Sequence, residues 1–277
     1  MIRVVLALLL TVVIGFSVEA QDLYVLHVKG DIRVNPENKP LKTGDKITAD
    51  KEIKFMSQDA TAIVMSREKG RMQLDGKKSK SSGSGEFLAV VTEVMVPMKL
   101  NMQMSTRSEA EFVPVRNLKE YFGEDQFAVV GEQLFVPLDE SQFPEEKHSA
   151  LVFRYEVDGK PKMKVLPRKQ NIILFNKDKI FGNHQPVQGE IYHVDKVTKA
   201  SEQLTSFRPV FINEDSLSKE LNALADFYTT QDSTLTQDSL RTRMEQYVQD
   251  VYGKTDAYQL GKWIEKQPFP AQENVQE

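Results

Sequence analysis

Apolar and polar positions alternate over much of this chain and then give way to helical spacing. Between positions 24 and 34 the apolar residues Tyr24, Leu26, Val28, Ile32 and Val34 hold the even places, while His27, Lys29, Asp31 and Arg33 point the other way. A period of two marks a half-buried strand pair, here kinked at Gly30. Asn35-Pro36-Glu37-Asn38 and Thr43-Gly44-Asp45 carry turn chemistry. Further strands are expected over 52–56, 61–66 and 71–75, and short strands so closely spaced predict a small β-sandwich or barrel. The stretch from Gly76 to Gly85 is rich in Lys, Ser and Gly. It lacks the G-x-x-x-x-G-K-[ST] spacing of a phosphate loop and reads as a solvated linker.

From Phe87 the spacing changes. Phe87, Val91, Val94 and Met98 fall on one helical face with Ser84 as N-cap, which predicts a buried helix. Met95, Met98, Met102 and Met104 read as gap-filling core, with a plastic binding surface as the alternative. Asn117-x-x-Glu120 is a capping box before Tyr121 and Phe122, with Gly123 as the stop.

Alternation returns over 126–212. Leu151, Phe153 and Tyr155 alternate with Val152, Arg154 and Glu156, and Val157-Asp158-Gly159 leads into a second strand from Lys160. A two-residue Asp-Gly turn would set Phe153 opposite Lys164 and Tyr155 opposite Lys162. A three-residue loop closing on Gly159 sets Phe153 opposite Met163 and Leu151 opposite Val165. Keeping apolar opposite apolar favours the three-residue loop, with Lys160, Lys162 and Lys164 facing solvent. Strands are also expected over 170–175, 190–197 and 203–212.

Helical spacing then takes over. Leu217, Leu221, Leu224 and Tyr228 share a face behind Glu214 and Asp215. Thr234-x-x-Gln237 is a capping box for a helix carrying Leu240, Met244, Tyr247, Val248 and Val251, which Gly253 ends. Leu260, Trp263 and Ile264 belong to a third short helix after Thr255, broken by Pro268 and Pro270. The expected class is α+β: an N-terminal small β-sandwich or barrel module (21–76), a linker (77–85), a mixed connecting region (86–125), a second antiparallel β region (126–212) and a C-terminal three-helix segment (213–277) docked on the sheet.

The first twenty residues add an address. Arg3 precedes an apolar run from Val4 to Val18, and Val18-Glu19-Ala20 presents small residues where a signal peptidase reads. Cleavage is expected before Gln21, with a periplasmic or extracellular product. The alternative is an uncleaved anchor, but the run falls short of the roughly 20 residues a spanning helix needs. The chain of 277 residues has no cysteine, is 40% hydrophobic and 27% charged, and carries a net charge of −4. That excludes a disulfide scaffold, a thiol nucleophile and a cysteine zinc site, and argues against nucleic acid as a partner.

No catalytic, cofactor or metal residue is assigned. His184, Glu190 and His193 give H-x₅-E-x-x-H, which matches no zinc signature, and the alternation around His193 makes it a strand. No serine sits in a G-x-S-x-G elbow. Asp139, Glu140, Glu145 and Glu146 lie in a proline-flanked loop rather than on the rigid strands a glycosidase pair requires. The remaining signal is electrostatic. Lys160, Lys162, Lys164, Arg168, Lys169, Lys177 and Lys179 are opposed between positions 160 and 179 by Asp178 alone. Lys160, Lys162, Lys164, Arg168 and Lys169 form a candidate strip for an acidic protein or an anionic envelope component. The competing reading is lysine guarding an edge strand against aggregation.

Four stretches resemble the FecR-like domain of bacterial envelope proteins. They are Val28-Lys29-Gly30-Asp31-Ile32-Arg33-Val34, Pro40-Leu41-Lys42-Thr43-Gly44-Asp45-Lys46-Ile47, Ala60-Thr61-Ala62-Ile63-Val64-Met65 and Gly70-Arg71-Met72-Gln73-Leu74. The pattern resembled is a V-x-G-x-V strand, an L-x-x-G-D turn and an A-x-A-x-x strand ahead of a Gly-led one. The resemblance implies an all-β periplasmic module that relays signals or mediates protein contacts, without enzyme activity. The function expected is non-enzymatic binding, assembly or signal relay in the bacterial envelope. The rivals are an envelope hydrolase with a dispersed active site and a glycan- or peptidoglycan-binding module.

Overall fold

The computed structural model describes residues 22–81, 87–98 and 112–269. The expected signal segment, Ser84, Met102, Met104 and Pro270 lie outside them. The chain is β-rich and forms two compact units that divide between Met98 and Lys99.

The first unit contains β1 (Asp22–Lys29), β2 (Ile32–Val34), β3 (Lys39–Pro40), β4 (Lys46–Thr48), β5 (Glu52–Phe55), β6 (Thr61–Ser66), β7 (Gly70–Asp75), β8 (Lys80–Ser81), β9 (Phe87–Val90), a single helical turn α1 (Val91–Val94) and β10 (Met95–Pro97). They form two five-stranded antiparallel sheets, ordered β10-β7-β6-β1-β4 and β3-β2-β5-β9-β8. Both sheets feed one apolar cluster, with Leu23, Val25, Val64 and Leu74 from the first and Ile32, Ile53, Phe55 and Ala89 from the second. Gly30, at φ 83°, turns the chain from one sheet to the other. A Cβ there would meet the Cβ of Ala60 at 2.9 Å, so only glycine fits both the angle and the contact.

Two expectations are corrected here. On β1 Tyr24 and Leu26 are buried as expected, but the strand is not half-exposed: the odd-numbered Leu23 and Val25 are buried too and join this cluster, with Val28 packed against it. A register shift between Val25 and His27 changes the phase of the strand, which a simple alternation cannot carry. The helix expected through Phe87 and Met98 is instead strand, turn and strand. β9 pairs with β5, β10 pairs with β7, and Val91 and Val94 fill the core from the turn between them. Two sheet ladders within reach outweigh a short helix that must first be nucleated. The start of the expected linker is also structured: Gly76–Lys78 is a 3₁₀ turn capped by Asp75, and β8 follows.

The second unit contains α2 (Leu118–Phe122), β11 (Gln126–Val130), β12 (Gln133–Pro137), β13 (Ser149–Val157), β14 (Lys160–Val165), β15 (Arg168–Lys169), β16 (Ile172–Asn176), α3 (Lys177–Phe181), β17 (Gly189–Asp195), β18 (Ser201–Ile212), α4 (Glu214–Gln231), α5 (Gln237–Tyr252), β19 (Lys254–Thr255) and α6 (Ala257–Glu265). A six-stranded sheet is ordered β14-β13-β17-β18-β11-β19, and a three-stranded sheet β12-β16-β15. The strands from β14 to β18 pair antiparallel, as expected. β11 departs from that expectation, lying parallel to both β18 and β19. Its neighbours arrive from far along the chain, so no hairpin dictates direction.

The core of this unit is aromatic. Phe122 and Phe207 stack at 4.0 Å, and Phe153 meets Phe175 edge-on at 5.0 Å. Phe127 and Phe181 are also fully enclosed. The side chain of Asn117 accepts from the amides of Lys119 and Glu120, and Gly123 ends α2 at φ 75°. The cap of α5 is corrected. Asp232 captures the amide and hydroxyl of Thr234, so the helix starts later, where Thr236 accepts from the Ser239 amide. α6 is tied to α2 and α4 by side-chain hydrogen bonds. Tyr121 donates to Asp256 at 2.6 Å, and Asp256 also caps α6 through the Gln259 amide at 2.7 Å. The Trp263 indole donates to Glu214 at 2.9 Å.

Candidate functional site

The hairpin formed by β13 and β14 decides how the basic residues are displayed. Val157 pairs with Lys160, Tyr155 with Lys162 and Phe153 with Lys164. The loop therefore has two residues, Asp158 at φ 53° and Gly159 at φ 70°. Positive angles at both places define the type I′ turn that follows the strands' own right-handed twist. This corrects the three-residue loop. Apolar matching failed as a guide because β14 is the sheet edge: its six residues are all exposed, so no core penalty selects their face.

The consequence is an inversion. Lys160, Lys162 and Lys164 share the face of Tyr155 and Phe153, beyond the margin of the core, and not the opposite face as expected. Met163 and Val165 occupy the other face, 61% and 65% exposed. Beside them the outer surface carries Arg154 over the Tyr192 ring, whose hydroxyl donates to Glu190 at 2.9 Å. That bond to a carboxylate raises the Tyr192 hydroxyl above the usual range.

The other candidates separate. Arg168 and Lys169 lie on β15, in the three-stranded sheet. The Arg168 guanidinium turns inward, donating to the carbonyls of Phe143 and Pro144 and to the Asn171 side chain at 2.7 Å. It holds the 143–144 loop and is half-buried, lining the cleft at the Val165 end of β14. Lys169 is exposed. Lys177 faces Glu132 at 3.7 Å, and Lys179 sits in the last turn of α3. Of the strip, the structure brings together Lys160, Lys162 and Lys164 as one row. Among the described residues none of the three enters an ion pair.

A cleft of about 380 Å³ opens at the Val165 end of this row. Leu151, Leu166, Leu204 and Phe143 line it, as do His193 and Glu202, which pair directly across β17 and β18. His184 lies elsewhere, after α3, and among the described residues no group of acids and histidines could hold a metal ion. A second cleft, of about 240 Å³, lies against α6 and is lined by Tyr258, Trp263, Gln133 and Lys262. Phe112 rests on Tyr258 at 5.4 Å.

Sequence reasoning missed the exposed Met163 and Val165 as a pair. The signal was present in Asp158-Gly159, whose preference for the two-residue turn places them outward. The two clefts leave no local signal, because their walls come from segments distant in the chain. No described helix is long and apolar enough to cross a membrane. Comparison with protein-family models and with curated proteins finds no match for this chain.

Proposed function

We propose that this chain is an exported, non-enzymatic binding or assembly protein, or signal relay, of the bacterial envelope. Its first unit is read as a FecR-like β-sandwich. In support, Leu41 of the L-x-x-G-D stretch is buried, the Gly44 amide donates to the Val25 carbonyl at 2.8 Å, and the Val25 amide donates to the Asp45 carbonyl at 2.9 Å. The turn is thereby joined to the strand that carries the first stretch.

The observation that carries the binding reading is the row of Lys160, Lys162 and Lys164 on an exposed edge strand, flanked by exposed Met163 and Val165. A surface that is basic in a chain of net charge −4 suits an acidic partner. Co-sedimentation with envelope fractions across a salt series tests it, comparing the natural chain with Lys160→Glu/Lys162→Glu/Lys164→Glu. Binding should fade as screening shortens to roughly 8 Å at physiological ionic strength, and the triple variant should bind poorly at every salt. Equal binding by both proteins overturns the reading.

A glycan-binding reading draws support from the second cleft, which Tyr258 and Trp263 line beside Gln133 and Lys262. Retention on peptidoglycan that survives the lysine reversal and is lost in Tyr258→Ala would favour it.

A further inference from the structure

We infer that the open edge of β14 takes an added strand: an extended protein segment in which acidic residues alternate with apolar ones. The inference rests on the reading of the lysine row as a binding surface and specifies how that surface works.

The argument starts from backbone polarity. In a two-residue hairpin the pair flanking the turn is hydrogen-bonded, and such pairs recur at every second residue. Val157–Lys160, Tyr155–Lys162 and Phe153–Lys164 are therefore the bonded pairs. The Leu166 amide, donating to the Leu151 carbonyl at 2.9 Å, continues the series. The backbone groups of Pro161, Met163 and Val165 consequently point away from the sheet. Proline falls at an outward position, where its missing N–H breaks no ladder bond. Met163 and Val165 are left with outward donors and acceptors on a strand that, among the described residues, has no neighbour beyond it.

The side chains select the visitor. An added strand must place alternate residues beside Lys160, Lys162 and Lys164 on one face and beside Met163 and Val165 on the other. Acidic residues satisfy the first face and apolar ones the second. A second copy of β14 is disfavoured. All three lysines occupy even positions, so a self-paired edge would set lysine against lysine. The demand for acidic residues is confined to the lysine row, because beyond Val165 the cleft is mixed in charge, with Glu145, Glu146 and Glu202 beside Arg168 and Lys196. Main-chain bonds would supply affinity and the alternating pattern specificity, as in other strand-addition complexes.

The test uses the full chain and two end-blocked octapeptides. One alternates Glu and Val; its isomer groups the four Glu ahead of the four Val. The alternating peptide should bind about tenfold or more tightly, and should slow amide exchange at Met163 and Val165. Met163→Pro, which keeps every lysine and deletes one outward donor, should weaken that binding about tenfold. Equal affinity for the two peptides, or no slowing of exchange at Met163 and Val165, overturns strand addition. If lysine reversal still abolishes envelope binding in that case, the charged surface stands and only its mode falls. If reversal changes neither peptide nor envelope binding, the underlying reading falls as well.

Discussion

Gln259 brackets Phe135: its Oε1 accepts from the Phe135 amide at 3.3 Å, and its Nε2 donates to the Phe135 carbonyl at 2.9 Å. A side-chain amide thus occupies the outer edge of β12, an end strand of the three-stranded sheet. The edge of β14 has lysines and a proline instead. The two edges are managed by different means, one by covering and one by charge.

Removing the cover should be measurable. Gln259→Ala leaves the Phe135 backbone without its partner and should cost about 1–2 kcal/mol in chemical denaturation. It should also raise light scattering on mild heating, since Phe135 is 47% exposed beside the freed edge. Unchanged stability and scattering would mean water replaces the amide without loss.

The hairpin turn gives a sharper discrimination. Both central residues have positive φ, and a Cβ at Gly159 would meet nothing within 4 Å. Gly159→Val should therefore lose about 1–2 kcal/mol from backbone strain alone. Asp158→Val should lose a similar amount, since β-branched residues tolerate positive φ poorly. A three-residue loop beginning with a type I turn would spare Asp158. Urea melts of the two variants decide between them, and a neutral Asp158→Val would restore the longer loop.

The aromatic core should be intolerant of truncation. Phe207 touches Phe122, Phe127, Phe153 and Phe175. Phe207→Ala should cost about 3–5 kcal/mol. Gly189 sits beneath the Phe153 ring, where an added Cβ would come within 2.2 Å of Cζ. Gly189→Ala should also destabilise the second unit, by overpacking rather than by a void. Thermal melts followed by near-ultraviolet circular dichroism report on these rings directly.

Alkaline pH should weaken the second unit. Burial, then the adjacent Asp256 carboxylate, raises the Tyr121 hydroxyl well above its usual range. Burial, then Glu220, does the same for Tyr252, which donates to that carboxylate at 2.8 Å. A phenol raised in the folded state stabilises fully below its unfolded pKa of about 10. As pH rises past that value the unfolded chain loses its proton first, and stability falls. The melting temperature should drop between about pH 9 and 11, less steeply in Tyr121→Phe/Tyr252→Phe. An identical slope in the double variant would assign the alkaline loss to other groups.

Much of the fold was legible because short-range chemistry dictated it. Asn117 with Gly123, the strands expected over 61–66 and 203–212, and the buried faces of α4 and α5 each follow from neighbouring residues and the core they meet. The failures share a cause. At Phe87–Pro97 helical spacing competed with two distant strand partners, and the partners won. On β1 a bulge shifted the phase, and on β14 exposure removed the burial that register arguments depend on. Of the candidate site, the lysine row could be read from charge and period. The diversion of Arg168 to the 143–144 loop could not, because its acceptors are backbone carbonyls that any sequence provides.

The parallel placement of β11 bears on the order in which the protein can be completed. β11 is made early in the second unit, yet one flank waits for β18 and the other for Lys254 and Thr255. Until a ribosome has passed that point, Phe127 and Ala128 have a partner on one side at most. The second unit thus matures only after Thr255 has been made, while the first can close as soon as β10 emerges. A chain halted just before Lys254 would carry nearly all of its core residues and still lack the strand that seals them.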